Sequence, residues 1–269
     1  MTTEEQFQTL DALFAAGDFR TAEAKLTGWI DQAERENRPG ELLSLYNELE
    51  GLYRTTNRAG QAVEVSDRAL ALIETLGLTG TIHHATTLIN GATANAVLGR
   101  TAQALELYRQ AMDLLERLGK QDSYQMAALC QNISHCCQQL GDYGQALAYL
   151  RRALDLVRRF EGTRGEVATT GTSMALCLMA LGRLEEAEDY LEQSLAYYES
   201  EAGAGDGHYA SALAAAGELS WRRGELEEAA RCCEKALAFN RAHFGDTHSN
   251  AILADNLEKI RREQRQVET

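Results

Sequence analysis

Proline is nearly missing from this 269-residue chain, with Pro39 the single example. Proline breaks helix interiors, so its scarcity beside abundant Ala, Leu, Glu, Gln and Arg predicts an all-α fold. Lysine is scarce too, limited to Lys25, Lys120, Lys235 and Lys259, and 26 Lys+Arg face 40 Asp+Glu for a formal net charge of −14. That balance opposes phosphate backbones and anionic lipid surfaces, so neither nucleic acid nor a membrane is an expected partner. No run of about 18 apolar residues occurs, which argues against a spanning helix. The start "MTTEEQFQTLDALF" lacks a basic stretch, a continuous apolar core and a small-residue cleavage site, so no secretory leader is expected. No segment reads as a strand, and "GTRGEVATTG" and "EAGAGDGH" therefore read as glycine turns rather than phosphate cradles. The six cysteines lie inside apolar helical patterns instead of a loop-rich framework, which points to free thiols in a reducing cytoplasm.

What the chain does have is an internal repeat. The segments "LGRTAQALELYRQAM", "LGDYGQALAYLRRAL" and "LGRLEEAEDYLEQSL" are variants of one another, with weaker relatives on both sides. Their hinge residues are Gly17, Asn57, Gly99, Gly141, Gly182 and Gly224, spaced 40, 42, 42, 41 and 42 apart. Five places after each hinge stands an alanine: Ala22, Ala62, Ala104, Ala146, Ala187 and Ala229. Twelve places after come Trp29, Ala69, Ala111, Ala153, Ser194 and Ala236. Small residues let two helices approach closely, so each hinge introduces a helix with an obligatory close contact. The residues before each hinge carry apolar or small side chains at helical spacing, as in Cys130, Ile133, Ser134 and Cys137. Each unit is thus a helical hairpin that cannot bury its apolar face alone and must stack on its neighbours.

The Leu-Gly-x-x-x-x-Ala hinges at Leu98 to Ala104, Leu140 to Ala146 and Leu181 to Ala187 resemble those of the tetratricopeptide repeat family. The long period and the Gly-x-x-His turns Gly205 to His208 and Gly245 to His248 are most similar to its kinesin light chain subclass. The family's closing proline is absent and Asn57 replaces Gly in the second unit. The resemblance implies a right-handed superhelical solenoid of six hairpins, over about residues 3–37, 41–78, 83–119, 124–161, 166–202 and 208–244, forming a single domain across 1–269. The segment 248–265 places Leu253, Leu257 and Ile260 on one face and is expected to be a capping helix, with Phe7, Leu10, Leu13 and Phe14 shielding the other end.

In the family the first helix of each hairpin lines a concave wall. Carried onto this sequence, and counted back from each hinge, that wall is expected to hold the ligand-binding residues Asn47, Arg54, Asn90, Thr93, Gln131, His135, Gln138, Thr172, Met179, Glu218 and Trp221. The surface is mostly neutral and hydrogen-bonding, with an apolar strip from Leu176, Met179 and Trp221, and suits an extended peptide or a small polar ligand. A relative that grips terminal carboxylates needs basic residues on successive first helices; no lysine falls on this wall, so that role is excluded. Glu50 intrudes into a close-packed column otherwise holding Leu10, Ala92, Ser134, Ala175 and Gly217, and is expected to lean out at the repeat edge or to pair with Arg54.

The cluster His135-Cys136-Cys137 is split by helical geometry, since consecutive residues diverge by about 100°. Cys137 reads as core, Cys136 as facing the next repeat, and His135 as facing the groove; Cys233 reads as packing and Cys232 as surface. His83, Tyr124, Glu166, His208 and His248 fall in one column of turn positions, too widely spaced at about 10 Å per repeat to share a metal. No metal, cofactor or catalytic residue is expected. The leading reading is a non-enzymatic cytoplasmic scaffold that binds a protein or peptide in its groove. The alternatives are a peptide- or small-molecule-responsive sensor acting in trans and an enzyme or metal site around His83, His84 and His135.

Overall fold

The computed structural model describes residues 3–267, which form thirteen α-helices and, among the described residues, no strand. The helices pair along the chain as α1 (Thr3–Ala15) with α2 (Phe19–Arg35), α3 (Pro39–Thr55) with α4 (Ala59–Thr75), and α5 (Ile82–Val97) with α6 (Thr101–Arg117). Then come α7 (Tyr124–Gln139) and α8 (Tyr143–Val157), α9 (Arg164–Ala180) and α10 (Leu184–Tyr198), α11 (Tyr209–Arg222) and α12 (Leu226–Phe244), and last α13 (His248–Val267). This is an all-α repeat solenoid.

The six hinges share one backbone state. Gly17, Asn57, Gly99, Gly141, Gly182 and Gly224 all have positive φ, between 57° and 81°. The next amide reaches back five residues, as in Asp18 to the Leu13 carbonyl (2.9 Å), Arg58 to Tyr53 (2.8 Å) and Glu225 to Ser220 (2.9 Å). That is the Schellman cap, which satisfies the last carbonyls of one helix while turning the chain into the next. Asn57 fills the position at φ 57° because asparagine, almost alone among residues with a Cβ, visits the left-handed region readily. Asp18 and Asp142 then cap α2 and α8 by accepting from the amides of Thr21 (3.1 Å) and Gln145 (3.0 Å). Pro39 sits in the first turn of α3, where no amide donor is needed.

Packing divides the chain into two compact units, Met1–Leu140 and Gly141–Thr269, and the division falls at the hinge of the fourth repeat. Unit 1 holds α1 to α7. Its core gathers Leu26, Ile30, Leu45, Leu52 and Ile73, with Phe7, Leu13 and Phe14 packed against it at the N-terminal end. Unit 2 holds α8 to α13 and has smaller clusters, one joining Ala210, Leu213, Ala236 and Leu253, another joining Ala229, Cys233, Leu257 and Ile260. The latter two residues come from α13, which covers the last hairpin with the apolar face the sequence assigned to it. In unit 1 the first helices α3, α5 and α7 pack on one another in succession, and in unit 2 α9 packs on α11, so in each unit the first helices form a layer of their own. Cys232 departs from its expected surface position. It is buried, with Sγ 3.4 Å from the Glu228 carboxylate, and burial and that carboxylate push its thiol up to about 12.

The alanine column explains how the hairpins close: all six of its members are fully buried at 0 % exposure. A larger side chain there would have to push the paired helices away from each other in an interior packed as densely as a crystal. Ala104→Leu should therefore lower stability by about 1–3 kcal/mol, seen as a lower urea midpoint. Ala102→Leu, exposed on the same helix, should shift it by less than about 0.5 kcal/mol.

Candidate functional site

The layer of first helices in unit 1 brings several of the expected residues together. Asn47 of α3 and Asn90 of α5, both half-buried, are joined by a hydrogen bond from Asn90 Nδ2 to Asn47 Oδ1 of 3.1 Å. Thr93, one turn further along α5, donates to the Ile89 carbonyl (2.8 Å) and meets the Tyr108 hydroxyl from α6 at 2.9 Å. With its own proton given to Ile89, Thr93 accepts from Tyr108, which is buried and held above its usual pKa chiefly by desolvation. On α7, Gln131 and Gln138 are half-buried and His135 is exposed. The Gln139 amide lies 3.0 Å from His135 Nε2, and its carbonyl accepts from Thr101 of α6 (2.9 Å), so the imidazole is held from one side. The result is a row of neutral amides and hydroxyls across α3, α5 and α7.

Beneath that row lies a charge. Glu50 is only 1 % exposed, and Arg54 Nε stands 2.8 Å from its Oε1, one helical turn away. Of the two expected arrangements, pairing with Arg54 is the one observed. The contact is electrostatic rather than a well-directed hydrogen bond, since neither carboxylate oxygen nor Arg54 Nε has an aligned partner among the described residues. Burial accordingly outweighs the attraction of Arg54, and the Glu50 carboxyl is pushed up to about 7. The charges of Glu50 and Arg54 both reach Tyr108, which ties this pair to the Thr93 contact.

In unit 2 the expected wall is placed differently. Thr172 is 6 % exposed and donates to the Ala168 carbonyl within its own helix (3.1 Å), and Met179 is 2 % exposed. Neither presents a side chain to solvent, so both are corrected to packing residues. Glu218 is engaged by Arg222 (2.7 Å), whose guanidinium also donates to the Met179 carbonyl (3.0 Å). Trp221 donates its indole N–H to Glu263 of α13 (2.7 Å) and borders a small void of about 40 Å³ closed by Leu253 and Ile260. The capping helix thus occupies the face that Trp221 was expected to offer a ligand. The repeat register identified which way these side chains lean but carried no signal of what covers them.

Among the described residues, no three or more His, Cys, Asp or Glu side chains are grouped as metal ligands. His83, His208 and His248 are exposed at helix starts, and His84 Nδ1 accepts from the Gly80 amide (3.3 Å).

Glu50 carries a pH dependence whose sign follows from its raised pKa. Between the ordinary carboxyl value of 4.5 and about 7, the folded chain keeps a proton that the unfolded chain releases. The contribution of Glu50 to stability is therefore complete below 4.5 and lost as pH rises through 7, by on the order of 3 kcal/mol. Glu50→Gln should melt near the wild type at pH 5 and several degrees above it at pH 8. Parallel melting curves for the two proteins across that range would contradict the assignment.

Comparison with known proteins agrees with this geometry. The tetratricopeptide repeat family model matches residues 83–159 and 166–242, more than half of the chain. No curated protein matches. Among solved structures, BtubC (BKLC) from P. vanneervenii superposes with a TM-score of 0.70 at 19% identity, covering 85% of this chain and 93% of that one. A putative kinesin light chain of Podosopora anserina with nearly identical repeats gives 0.64 at 17% identity, over 77% of this chain and 99% of its own. The apo form of the quorum sensor NprR from B. thuringiensis gives 0.70 at 17% identity, over 96% of this chain and 68% of that one. The chain belongs to the tetratricopeptide repeat family, with the fold of its kinesin light chain-like members.

Proposed function

We propose that the chain is a non-enzymatic scaffold that captures an extended peptide segment of a partner protein on the first-helix layer of unit 1. The observation that carries the reading is the Asn47–Asn90 pair at 3.1 Å. Each primary amide offers one carbonyl acceptor and two N–H donors, matching the two polar groups of a peptide bond. One contact between the two amides leaves further donors and acceptors on both, held in fixed orientation and partly out of water. Gln131, Gln138 and His135 extend the row along α7, and Arg54 adds a single positive charge over Glu50. Thr93 positions Tyr108, whereas Thr172, Met179, Glu218 and Trp221 fall outside the proposed peptide contact.

Two proteins that share the fold support the class of ligand. NprR has been crystallised with its cognate peptide NprX, and YrrB has an unusual peptide-binding site. The excess of acidic charge supports a protein rather than a nucleic-acid partner. Six buried cysteines, none of them in a disulfide, support a reducing, cytoplasmic location. The likeness to NprR over 96% of the chain favours a second reading, in which bound peptide alters association with a further protein in trans.

Selection from a displayed library of linear peptides on immobilised protein tests the first reading. Binders should emerge with micromolar Kd, and Asn90→Ala should weaken them about tenfold, the loss of one good hydrogen bond. Ser211→Ala, exposed in unit 2, should leave them unchanged. Peptides that bind an Asn90→Ala, Gln131→Ala double variant as tightly as the wild type would remove the site from unit 1.

A further inference from the structure

From the second repeat to the sixth, the residue eleven places before the hinge and the residue twelve places after it sit on opposite helices of the hairpin. The pairs are Tyr46 with Ala69, Leu88 with Ala111, Cys130 with Ala153 and Leu213 with Ala236. In register, a large or medium side chain on the first helix is thus matched with an alanine on the second. The fifth repeat alone in this run inverts the sizes, with Gly171 facing Ser194. The two are in contact: a Cβ on Gly171 would lie 2.8 Å from Ser194 Oγ. Ser194 turns its hydroxyl toward backbone, 2.8 Å from the Ala168 carbonyl and 2.9 Å from that of Tyr190, and does not replace the missing bulk.

Beside that contact lies a cleft of about 730 Å³ between α8, α9 and α10, lined by both Gly171 and Ser194. That volume is in the range of small-molecule sites, about 300–1,000 Å³. Its floor is apolar, with Leu154, Val167 and Ala168, and three half-buried rings, Phe160, Tyr190 and Tyr197, edge it. Arg158 and Arg164 stand at its mouth, exposed, and neither guanidinium has an ion-pair or hydrogen-bond partner among the described residues. Glu161 is the one carboxylate in the lining, so the mouth keeps a net positive charge in a chain whose formal charge is −14.

We propose that this cleft is a binding site for a small amphipathic carboxylate, its aromatic body lying over Leu154 and Val167 beside the rings and its carboxylate held by Arg158 and Arg164. Three features converge on that class. A planar guanidinium fork matches a carboxylate and prefers it desolvated at one edge of an apolar surface. Tyrosine and phenylalanine edges pair with another aromatic ring in offset or edge-to-face contact. The cleft itself is the third, since its volume admits a fused aromatic ring and its floor of Leu154, Val167 and Ala168 is apolar. The site lies wholly in unit 2 and is independent of the peptide face proposed for unit 1.

The test uses the full chain and naphthalene-2-carboxylate as probe, followed by calorimetric titration. One-to-one saturable binding is expected, with Kd on the order of 10–100 μM, and naphthalene-2-carboxamide should bind at least tenfold more weakly. Arg158→Ala with Arg164→Ala should produce the same loss for the carboxylate and little change for the carboxamide. Gly171→Leu combined with Ser194→Ala installs the pair found in the third and sixth repeats and places a bulky side chain at the wall of the cleft. That variant should keep the wild-type circular dichroism, melt lower because the added side chain meets Tyr190 across the α9–α10 contact, and lose binding by more than tenfold. Should it fail to fold, the arginine pair and the carboxamide still decide the matter. Absence of saturable binding to the wild type, or binding that survives both the Gly171→Leu, Ser194→Ala change and the loss of the two arginines, would overturn the proposal.

Discussion

An alanine five residues past a positive-φ hinge fixes how near the two helices of each repeat can lie, and the remaining structure is arranged around that distance. The hinge sets the direction in which the second helix leaves, through the Schellman bonds behind Gly17, Asn57 and Gly224. The alanine, without exposed surface in all six repeats, sets the separation of paired helices within each unit. Once both are fixed, each hairpin presents apolar residues on its flanks and needs a neighbour to cover them, which is why the pattern repeats and why α13 closes the array. Stability is thereby distributed along many local contacts rather than held in one central core, and the two units of packing each keep clusters of their own.

Period and spacing made the fold legible. Helix identity, hinge positions, the alanine column and the capping face of Leu253, Leu257 and Ile260 all follow from which side of a helix a residue occupies, and a repeat of about forty-two residues states that six times over. The candidate site was only partly legible, for a physical reason: a register says where a side chain leans, and burial depends on what arrives from elsewhere in the chain. Asn47 and Asn90 were placed on the right layer, but their hydrogen bond joins helices 43 positions apart and leaves no local signal. Trp221 leans toward the first-helix face as expected, and α13 then covers it through Glu263. Thr172 and Met179 are buried although their columns in other repeats hold the half-buried Asn47, Gln131 and Arg54, and Leu176 between them is exposed, so one register is covered to different depths in the fifth repeat. Cys232 was missed likewise, its neighbour Glu228 and the adjoining packing removing it from water.

Two departures from the repeat pattern are more informative than the pattern itself. A repeat position that only has to pack is satisfied by any residue of suitable size: the column of Glu50 otherwise holds Leu10, Ala92, Ser134, Ala175 and Gly217, and that of Gly171 holds Gln6, Tyr46, Leu88, Cys130 and Leu213. Glu50 and Gly171 do not fit that rule. Glu50 brings a carboxylate into a close-packed column at a desolvation cost that Arg54 only partly offsets. Gly171 gives up helix propensity, about 1 kcal/mol relative to alanine, in a column where every other repeat carries a side chain. Local sequence and global fold agree nearly everywhere else in this chain, and positions that break such agreement without a packing gain are where function is expected to reside.

The two departures also act in opposite senses, and this separates the surfaces they create. Adding Glu50 beneath Asn47 and Thr93 polarises a neutral layer without opening it, which favours recognition by hydrogen bonds along an extended chain. The cleft beside Gly171 offers space without charge inside, so the proposed ligand must bring its own apolar bulk and meet Arg158 and Arg164 only at the rim. A peptide backbone has too many polar groups to satisfy in that apolar cleft, while a compact aromatic acid has too few to span the amide row of α3, α5 and α7. The two proposed surfaces, one over a buried charge and one in an apolar cleft, therefore call for ligands that exclude each other on chemical grounds.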